Sequence, residues 1–481
     1  MESKHRRISN RVRLAALFGI SGFLIVACAV KTAYYQNLDS LVSGGRYGDA
    51  VSLTENSKGS IYGGKNELLY DLDLGMLHQL NGNYAGSNTV FEEAKRVFDK
   101  NFTKSITTEA STFLISDNMR PYAGEDFERA QVNIFCALNY VLQGNGNEAL
   151  VEARQVDDFL KKLGTDYGYK NVYKEDAFAR YLMGMLYENQ GEINDAYISY
   201  RQALDAYEDY RKNYGLGAPD GLISDALRTA RALGFNDKIQ EIKSDYPKAE
   251  IQEVPKNSGE LVLLDYNGFS AEKIDSFFEI SFGKAWFYVG SMKTKGKDAE
   301  EVEQAGAIAR SILMDEQVRM AFPKYQRIPS RIQGFRVATA DLSGRSSEGE
   351  VVQDISAIAE KNLDDRIARI RTKTIARAAV KFALTHKISK GVEENSNNKL
   401  LGWITKKALT AASTATEHAD KRSWRSLPDK ILMARLPLQP GTYSVRVKFY
   451  DASGMTVQKR TLDHIEIRSG KKTFAIVRTA A

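Results

Sequence analysis

The sequence predicts an α+β protein: an all-α solenoid of helical repeats, then a mixed domain with an antiparallel sheet and a basic helical hairpin. Three observations lead there. Small and aromatic residues recur at fixed offsets through the first half of the 481-residue chain. Apolar and polar residues alternate strictly over 443–450, near its end. Between these regions, residues 361–390 carry nine basic side chains threaded by apolar positions at helical intervals. Periods of 2 and 3.6 are the marks of a half-buried strand and of a helix packed on one face.

The first 27 residues divide into a basic stretch through Arg13 and an apolar run from Leu14 to Val26, ending at Ala27-Cys28. That is the layout of a secretory leader, and the apolar run is short for a bilayer span. Ile25-Val26-Ala27-Cys28 resembles a lipobox, where a signal peptidase cuts ahead of a cysteine that carries diacylglycerol. Residues 1–27 are therefore expected to be a signal peptide, and Cys28 the lipidated membrane anchor. An uncleaved anchor helix reaching about Val30 is the competing reading; both place the bulk of the chain outside the cytoplasm. Ala29 stands where an inner-membrane retention signal has Asp, which directs the mature chain to the outer membrane, facing the periplasm. The leader carries Lys4, Arg6, Arg7, Arg11 and Arg13 against Glu2, so its removal takes away most of the formal charge of +6. Bulk charge thus gives no case for nucleic acid. Cys136 is the second cysteine of two, so no internal disulfide is expected, and its apolar setting over 132–138 marks a buried inert thiol.

The repeat region follows, in a domain expected over 28–250. Leu74-Gly75, Gly82, Tyr84, Phe91 and Ala94 form one copy of a pattern; Gly184, Tyr187, Gly191, Ala196, Tyr200 and Ala203 form another. Ala137, Tyr140, Gly144 and Ala149 make a weaker copy, Leu41, Gly45, Tyr47 and Ala50 a partial one, and 227–242 a terminal helix pair. Two helices pack closely only where small residues meet, and the aromatics fill the groove to the next pair. The pattern resembles the tetratricopeptide (TPR) family. That resemblance implies a concave face that takes an extended peptide or a partner helix, here an envelope protein. Gly75 to Ala137 spans 62 positions and Ala137 to Gly184 spans 47, so inserts over 103–124 and 164–174 must protrude or add helices. Within the first insert, Ser116–Tyr122 is either a loop that grips a ligand beside the groove or a plain surface loop.

After a linker over 252–258, the second domain is expected over 259–481. Strand signals lie at 260–266, 285–289, 317–322 and 333–339, with a polar loop over 343–350. The stretches 443–450, 457–462, 465–468 and 473–477 read as a C-terminal β meander, in a sandwich or a sheet covered by helices. A helical hairpin over 355–416 sits between these parts, its basic arm at 361–390 and its second arm, with Trp403, at 400–416. A basic amphipathic arm either lies on an anionic surface or packs on the sheet with its charges in solvent.

Glu417, His418, Asp420, Arg422 and Trp424 form the candidate functional cluster. On a helix, Glu417 and Asp420 would share one face and His418 and Arg422 another. The cluster is read as a structural corner with Trp424 as its plug, against an acid–base role. The five histidines are scattered, so no metal site is expected, and no nucleotide or nucleophile motif is present. Residues 416–424 together with Leu427-Pro428-Asp429-Lys430-Ile431, Pro437–Tyr443, Gly259-Glu260-Leu261-Val262 and Asn267-Gly268 ahead of Lys273 resemble a family of bacterial tetratricopeptide-repeat lipoproteins. Ser270-Ala271 stands where that family favours Pro. The resemblance implies location and architecture and names no reaction. The expectation is a membrane-anchored envelope lipoprotein without catalytic residues or cofactor, acting as a protein-binding scaffold or assembly factor. The alternatives are a membrane- or polymer-binding role through 361–416, and an envelope hydrolase using Glu417 and Asp420.

Overall fold

The computed structural model describes residues 31–109, 114, 116–166, 173–251, 255, 257–292, 297–310, 312–340, 344–396 and 418–480. Cys28, Glu417 and the second hairpin arm at 400–416 lie outside the described residues. The chain is α+β, with helices to residue 245 and the first strand opening at Gly259.

The helices pack in consecutive antiparallel pairs: α1 (31–43) with α2 (Tyr47–Asn56), α3 (Glu67–Leu80) with α4 (Tyr84–Glu109), α5 (Asp126–Leu142) with α6 (Gly146–Asp166), α7 (Ala177–Gln190) with α8 (Ile193–Tyr214), and α9 (Asp220–Ala232) with α10 (Asn236–Asp245). The expected small-to-large contacts occur in the α3–α4 and α7–α8 pairs. A Cβ on Gly75 would stand 2.5 Å from Phe91 Cε1, and one on Gly184 would stand 2.3 Å from Tyr200 Cδ1. Gly191, at φ 85°, ends α7 in the left-handed region that other residues enter at a cost. Ala94 and Ala196 are fully buried between helices, and Tyr84 opens α4. The stretched spacing after Gly75 comes from the 26-residue α4 and a segment with a 3₁₀ turn at Asp117–Met119, with no extra α-helix among the described residues.

These contacts give a direct expectation. Gly184→Ala forces the buried Tyr200 ring off its seat and should lower stability by about 1–3 kcal/mol. Gly217→Ala, where nothing lies within 4 Å of the added carbon, should stay within about 0.5 kcal/mol of wild type. Urea unfolding of both variants makes the comparison, and equal losses would mean that the close approach carries no energy.

Among the described residues, ten strands make three sheets. The first has the order β10 (Lys472–Thr479), β1 (Gly259–Asn267), β7 (Lys430–Leu438), β6 (Glu350–Asp354), in which β1 and β10 are parallel and the other pairs antiparallel. The second pairs β2 (Glu272–Ser281) with β3 (Gln317–Gln326), and the third runs β5 (Ser346–Glu348), β4 (Gly334–Thr339), β8 (Gly441–Tyr450), β9 (Thr456–Ile467). Strand β1 is buried along its whole length because both faces of its sheet are covered. Leu261 and Leu263 pack with Phe335, Val337, Val445 and Phe449 of the third sheet. Val262, Leu264 and Tyr266, one residue out of phase, join the core of the helical repeat. Repeat and sheet therefore share one continuous core.

Several expectations are corrected. Residues 285–289 belong to a helix, α11 (Phe282–Val289), with Phe282, Ala285 and Val289 buried one and two turns apart; a short apolar run carries too few positions to tell the two periods apart. The meander is broken: β9 is one strand where two were expected, and β10 leaves it to pair parallel with β1 in the other sheet. The polar stretch 343–350 contributes β5 and the start of β6. The basic arm is a long helix, α13 (Ile355–Ser396), which runs through most of the turn the sequence predicts over 392–398 between the two arms. Its first turns enter the shared core with Ile355, Ile358 and Leu363. Its middle, from Ile375 to Ala383, packs in a satellite core with α11, α12 (Lys297–Ala309) and the β2–β3 ribbon.

Candidate functional site

The described part of the predicted cluster, 418–424, forms neither helix nor strand between α13 and β7, so the helical face-sharing expected for it does not occur. Its residues divide among three neighbours. His418 Nδ1 and Lys421 Nζ each lie 2.9 Å from Asp275 Oδ2 on β2, and the Ala419 amide donates to Asp275 Oδ1 at 2.9 Å. Asp420 accepts from Arg422 Nε at 2.8 Å and Nη2 at 2.7 Å. Arg422 then crosses to the repeat, donating to the backbone oxygens of Arg120 at 2.8 Å and Asp117 at 2.9 Å, with its guanidinium 5.2 Å from the centre of the Tyr122 ring. The loop Ser116–Tyr122, read as a ligand grip or a plain surface loop, thus grips the chain's own arginine.

Trp424 is the plug. Its ring meets Phe91 and Phe135 edge-on at 5.8 and 5.7 Å, inside the repeat. Its amide donates to Glu128 Oε1 at 2.8 Å and its indole to Ser426 Oγ at 2.9 Å. Ser426 in turn donates to Asp73 of α3 through its amide at 3.0 Å and its hydroxyl at 2.8 Å. The corner therefore seats on the repeat, with Phe91 doubling as the residue that fills the Gly75 notch.

Beneath Trp424 lies a pair of buried carboxylates that sequence reasoning did not single out. Glu125 caps α5 and shares a capping box with Glu128. Glu125 also forms ion pairs with Lys273 of β2 and Arg366 of α13. Burial pushes its carboxyl up, but Arg366 and Lys273 outweigh that and hold it near 2. Glu128 receives the Tyr122 hydroxyl at 2.7 Å and the Glu125 amide at 2.9 Å and, among the described residues, is in no ion pair. Burial, reinforced by the Glu125 charge, pushes Glu128 up to about 7. The available signal was the spacing Glu125-x-x-Glu128, a capping box just ahead of an apolar helical run.

A pH effect follows. Folded Glu128 keeps its proton up to about pH 7, whereas its ordinary value is 4.5. The folded state binds more protons between those values, so this group's contribution to stability is complete below pH 4.5 and is lost as pH rises through 7. Glu128→Gln is expected to flatten that slope in urea titrations across the window. An unchanged slope would assign the pH dependence to other groups.

The seam continues along α7, α8 and α9. Asp176, capping α7, accepts from Gln353 of β6 at 2.6 Å, and the Tyr207 hydroxyl donates to the Val352 oxygen at 2.7 Å. Six residues close an alternating ring of charges. Arg228 bridges Glu188 at 2.7 Å and Asp225 at 2.8 Å, Asp225 pairs with Arg435, Arg435 reaches Glu260 at 2.6 Å, and Lys472 joins Glu260 at 2.7 Å to Glu188 at 3.3 Å. The ring ties α7 and α9 to β1, β7 and β10. The repeat groove, from which the sequence expects a partner peptide to hang, is thus occupied at α3, α5, α7 and α9 by the chain's own sheet and loop. Tyr187, on the rim, accepts from Arg154 Nε at 3.0 Å.

The basic residues of α13 spend charge on the chain as well: Arg366 on Glu125, Lys373 on Asp117 at 3.1 Å, Lys361 on Asp365 at 3.3 Å. Among the described residues, Glu92, Cys136 and Glu152 bring possible metal-binding atoms within 4.8 Å of one another. Lys95 Nζ already sits there, 2.7 Å from Glu92 and 2.6 Å from Glu152, so an ammonium supplies the positive charge. Burial raises the Cys136 thiol well above its usual range, which keeps it protonated and inert. No described helix is long and apolar enough to cross a membrane.

No protein-family model matches the chain, and no curated protein sequence does. Solved structures with some likeness to it include BtubC (BKLC) from P. vanneervenii, 13% identical over 48% of this chain and 87% of that one, at a TM-score of 0.33. MamA is 12% identical over 44% of this chain and 93% of its own, at 0.28. YrrB, a TPR protein with an unusual peptide-binding site, is 13% identical over 45% and 84%, at 0.28.

Proposed function

We propose that the mature chain is an envelope lipoprotein, held to the outer membrane on its periplasmic side by lipid on Cys28, and that it works as a protein-binding scaffold or assembly factor. The observation that carries the scaffold reading is the sealed seam. The carboxylates of Glu125, Glu128, Asp420, Asp225 and Glu260 all face partners from another part of the chain or brace one that does. Their chemistry is consumed in making one rigid body of repeat and sheet, which suits a protein that presents fixed surfaces. Cys28 precedes the first described residue of α1 by three positions, so its lipid would hold that body within about 10 Å of the headgroups. With the inner face occupied, the partner is assigned to the outer helices of the pairs or to the satellite module.

The test uses the full chain, because removing the repeat would open the shared core. In cells fed a clickable fatty acid, wild type is expected to label, fractionate with the outer membrane and cross-link to a defined envelope protein. Cys28→Ala is expected to lose label and accumulate as a precursor or mislocalise. Mature, membrane-bound Cys28→Ala protein would refute the anchor. A correctly anchored wild type that cross-links to nothing would refute the scaffold.

A further inference from the structure

Arg478, near the end of β10, is 2% exposed and belongs to the sheet face that joins the repeat core. Its Nη1 donates to the Tyr266 oxygen at 3.3 Å, and its guanidinium carbon lies 5.0 Å from the centre of the Phe269 ring. Among the described residues, its Nε and Nη2 meet no acceptor. Those two groups form one edge of the guanidinium fork, the edge that grips a carboxylate or phosphate through two parallel hydrogen bonds. Two phenol hydroxyls in its electrostatic neighbourhood, those of Tyr47 at the start of α2 and of Tyr266 on β1, are buried and also lack partners. Orphaned buried donors are rare, and a buried guanidinium with half its donors unused is costly to keep.

The nearby carboxylates are committed elsewhere. Asp265 belongs to the opposite face of β1 and takes the Thr479 hydroxyl on its two oxygens at 2.9 and 3.0 Å. Asp39 is bound by Arg425 at 3.0 Å. Burial pulls the Arg478 guanidinium down to about 10, still a cation at neutral pH. We infer that Arg478, Tyr47 and Tyr266 form a site for a small oxyanion, a carboxylate or phosphate group, where α2 meets the β1–β10 edge. The fork supplies the charge and the two-point geometry. The phenols supply neutral donors to the remaining oxygens. The site does not depend on the scaffold reading.

Thermal unfolding of the full chain in inorganic phosphate, in acetate and in chloride at equal ionic strength tests the assignment. Phosphate or acetate is expected to raise the midpoint by roughly 2 °C or more over chloride at saturation, and the anion that does so identifies the chemistry. Arg478→Met should abolish the rise, and Tyr47→Phe, which keeps the packing, should weaken the apparent affinity several-fold. No rise with either anion would mean that the guanidinium is merely hydrated, and would overturn the site. So would an undiminished rise in a folded Arg478→Met protein.

Discussion

Arg435→Met is expected to lower stability by about 3–5 kcal/mol, the loss seen when one partner of a buried ion network is removed and the other charges stay behind. Arg435 is the link that the ring cannot replace. One arm holds Asp225 of α9, the other holds Glu260 of β1, and Nη1 also donates to the Tyr181 hydroxyl at 2.8 Å. Burial pushes Glu260 up, but Arg435 and Lys472 outweigh it and hold its carboxyl well below the usual range. With Met in place of Arg435, Asp225 keeps Arg228 and Glu260 keeps only Lys472. The ring goes from neutral to one net negative charge in a dry seam.

The acid dependence of this loss separates a charge effect from lost packing. Protonating Glu260, left with Lys472 alone, relieves the mutant and not the wild type, so the gap in urea midpoints should narrow as pH falls from 7 toward 5. A gap that stays constant over that range would show that Met costs shape alone. Because the ring spans α7, α9, β1, β7 and β10, the variant should also speed amide exchange at both ends of the seam.

What could be read from the sequence, and what could not, divides by the range of the interaction. The helix pairs were legible because their packing is local. Gly75 and Phe91, like Gly184 and Tyr200, stand sixteen positions apart, and that spacing alone brings small against large across a tight turn. Strand β8 was legible for the same reason, since alternation records its two faces. Asp420, Arg422 and Trp424 stood out as an unusual polar and aromatic run, yet their partners Asp117, Tyr122 and Glu128 lie about 300 positions upstream. No periodicity encodes such a pairing. The basic arm misled for a related reason: Lys373 and Arg366 read as solvent charges because the acids that meet them lie 256 and 241 positions upstream. Strand β10 has the same local pattern in either sheet, so only the shared core decides where it pairs.

Trp424→Ala is expected to cost about 3–5 kcal/mol, as do other buried aromatic truncations, and to do so without separating the two halves of the molecule. The indole fills the space between Phe91 and Phe135, and Ala would leave those rings facing a void. The backbone amide bond to Glu128 and the link from Ser426 to Asp73 survive the truncation, so the corner stays seated though loosened. Trp424→Phe keeps most of the packing and loses only the indole bond to Ser426, and should cost less than about 1.5 kcal/mol. The form of the transition is the sharper readout. Val262, Leu264, Tyr266 and Trp424 belong to the same core as Phe91, Phe135 and Tyr181, so repeat and sheet should melt together in wild type and in both variants. If Trp424→Ala splits the melt into two steps, each half holds its own core, and the shared-core account of the fold is wrong. If it stays single and moves down, the plug contributes to one cooperative unit.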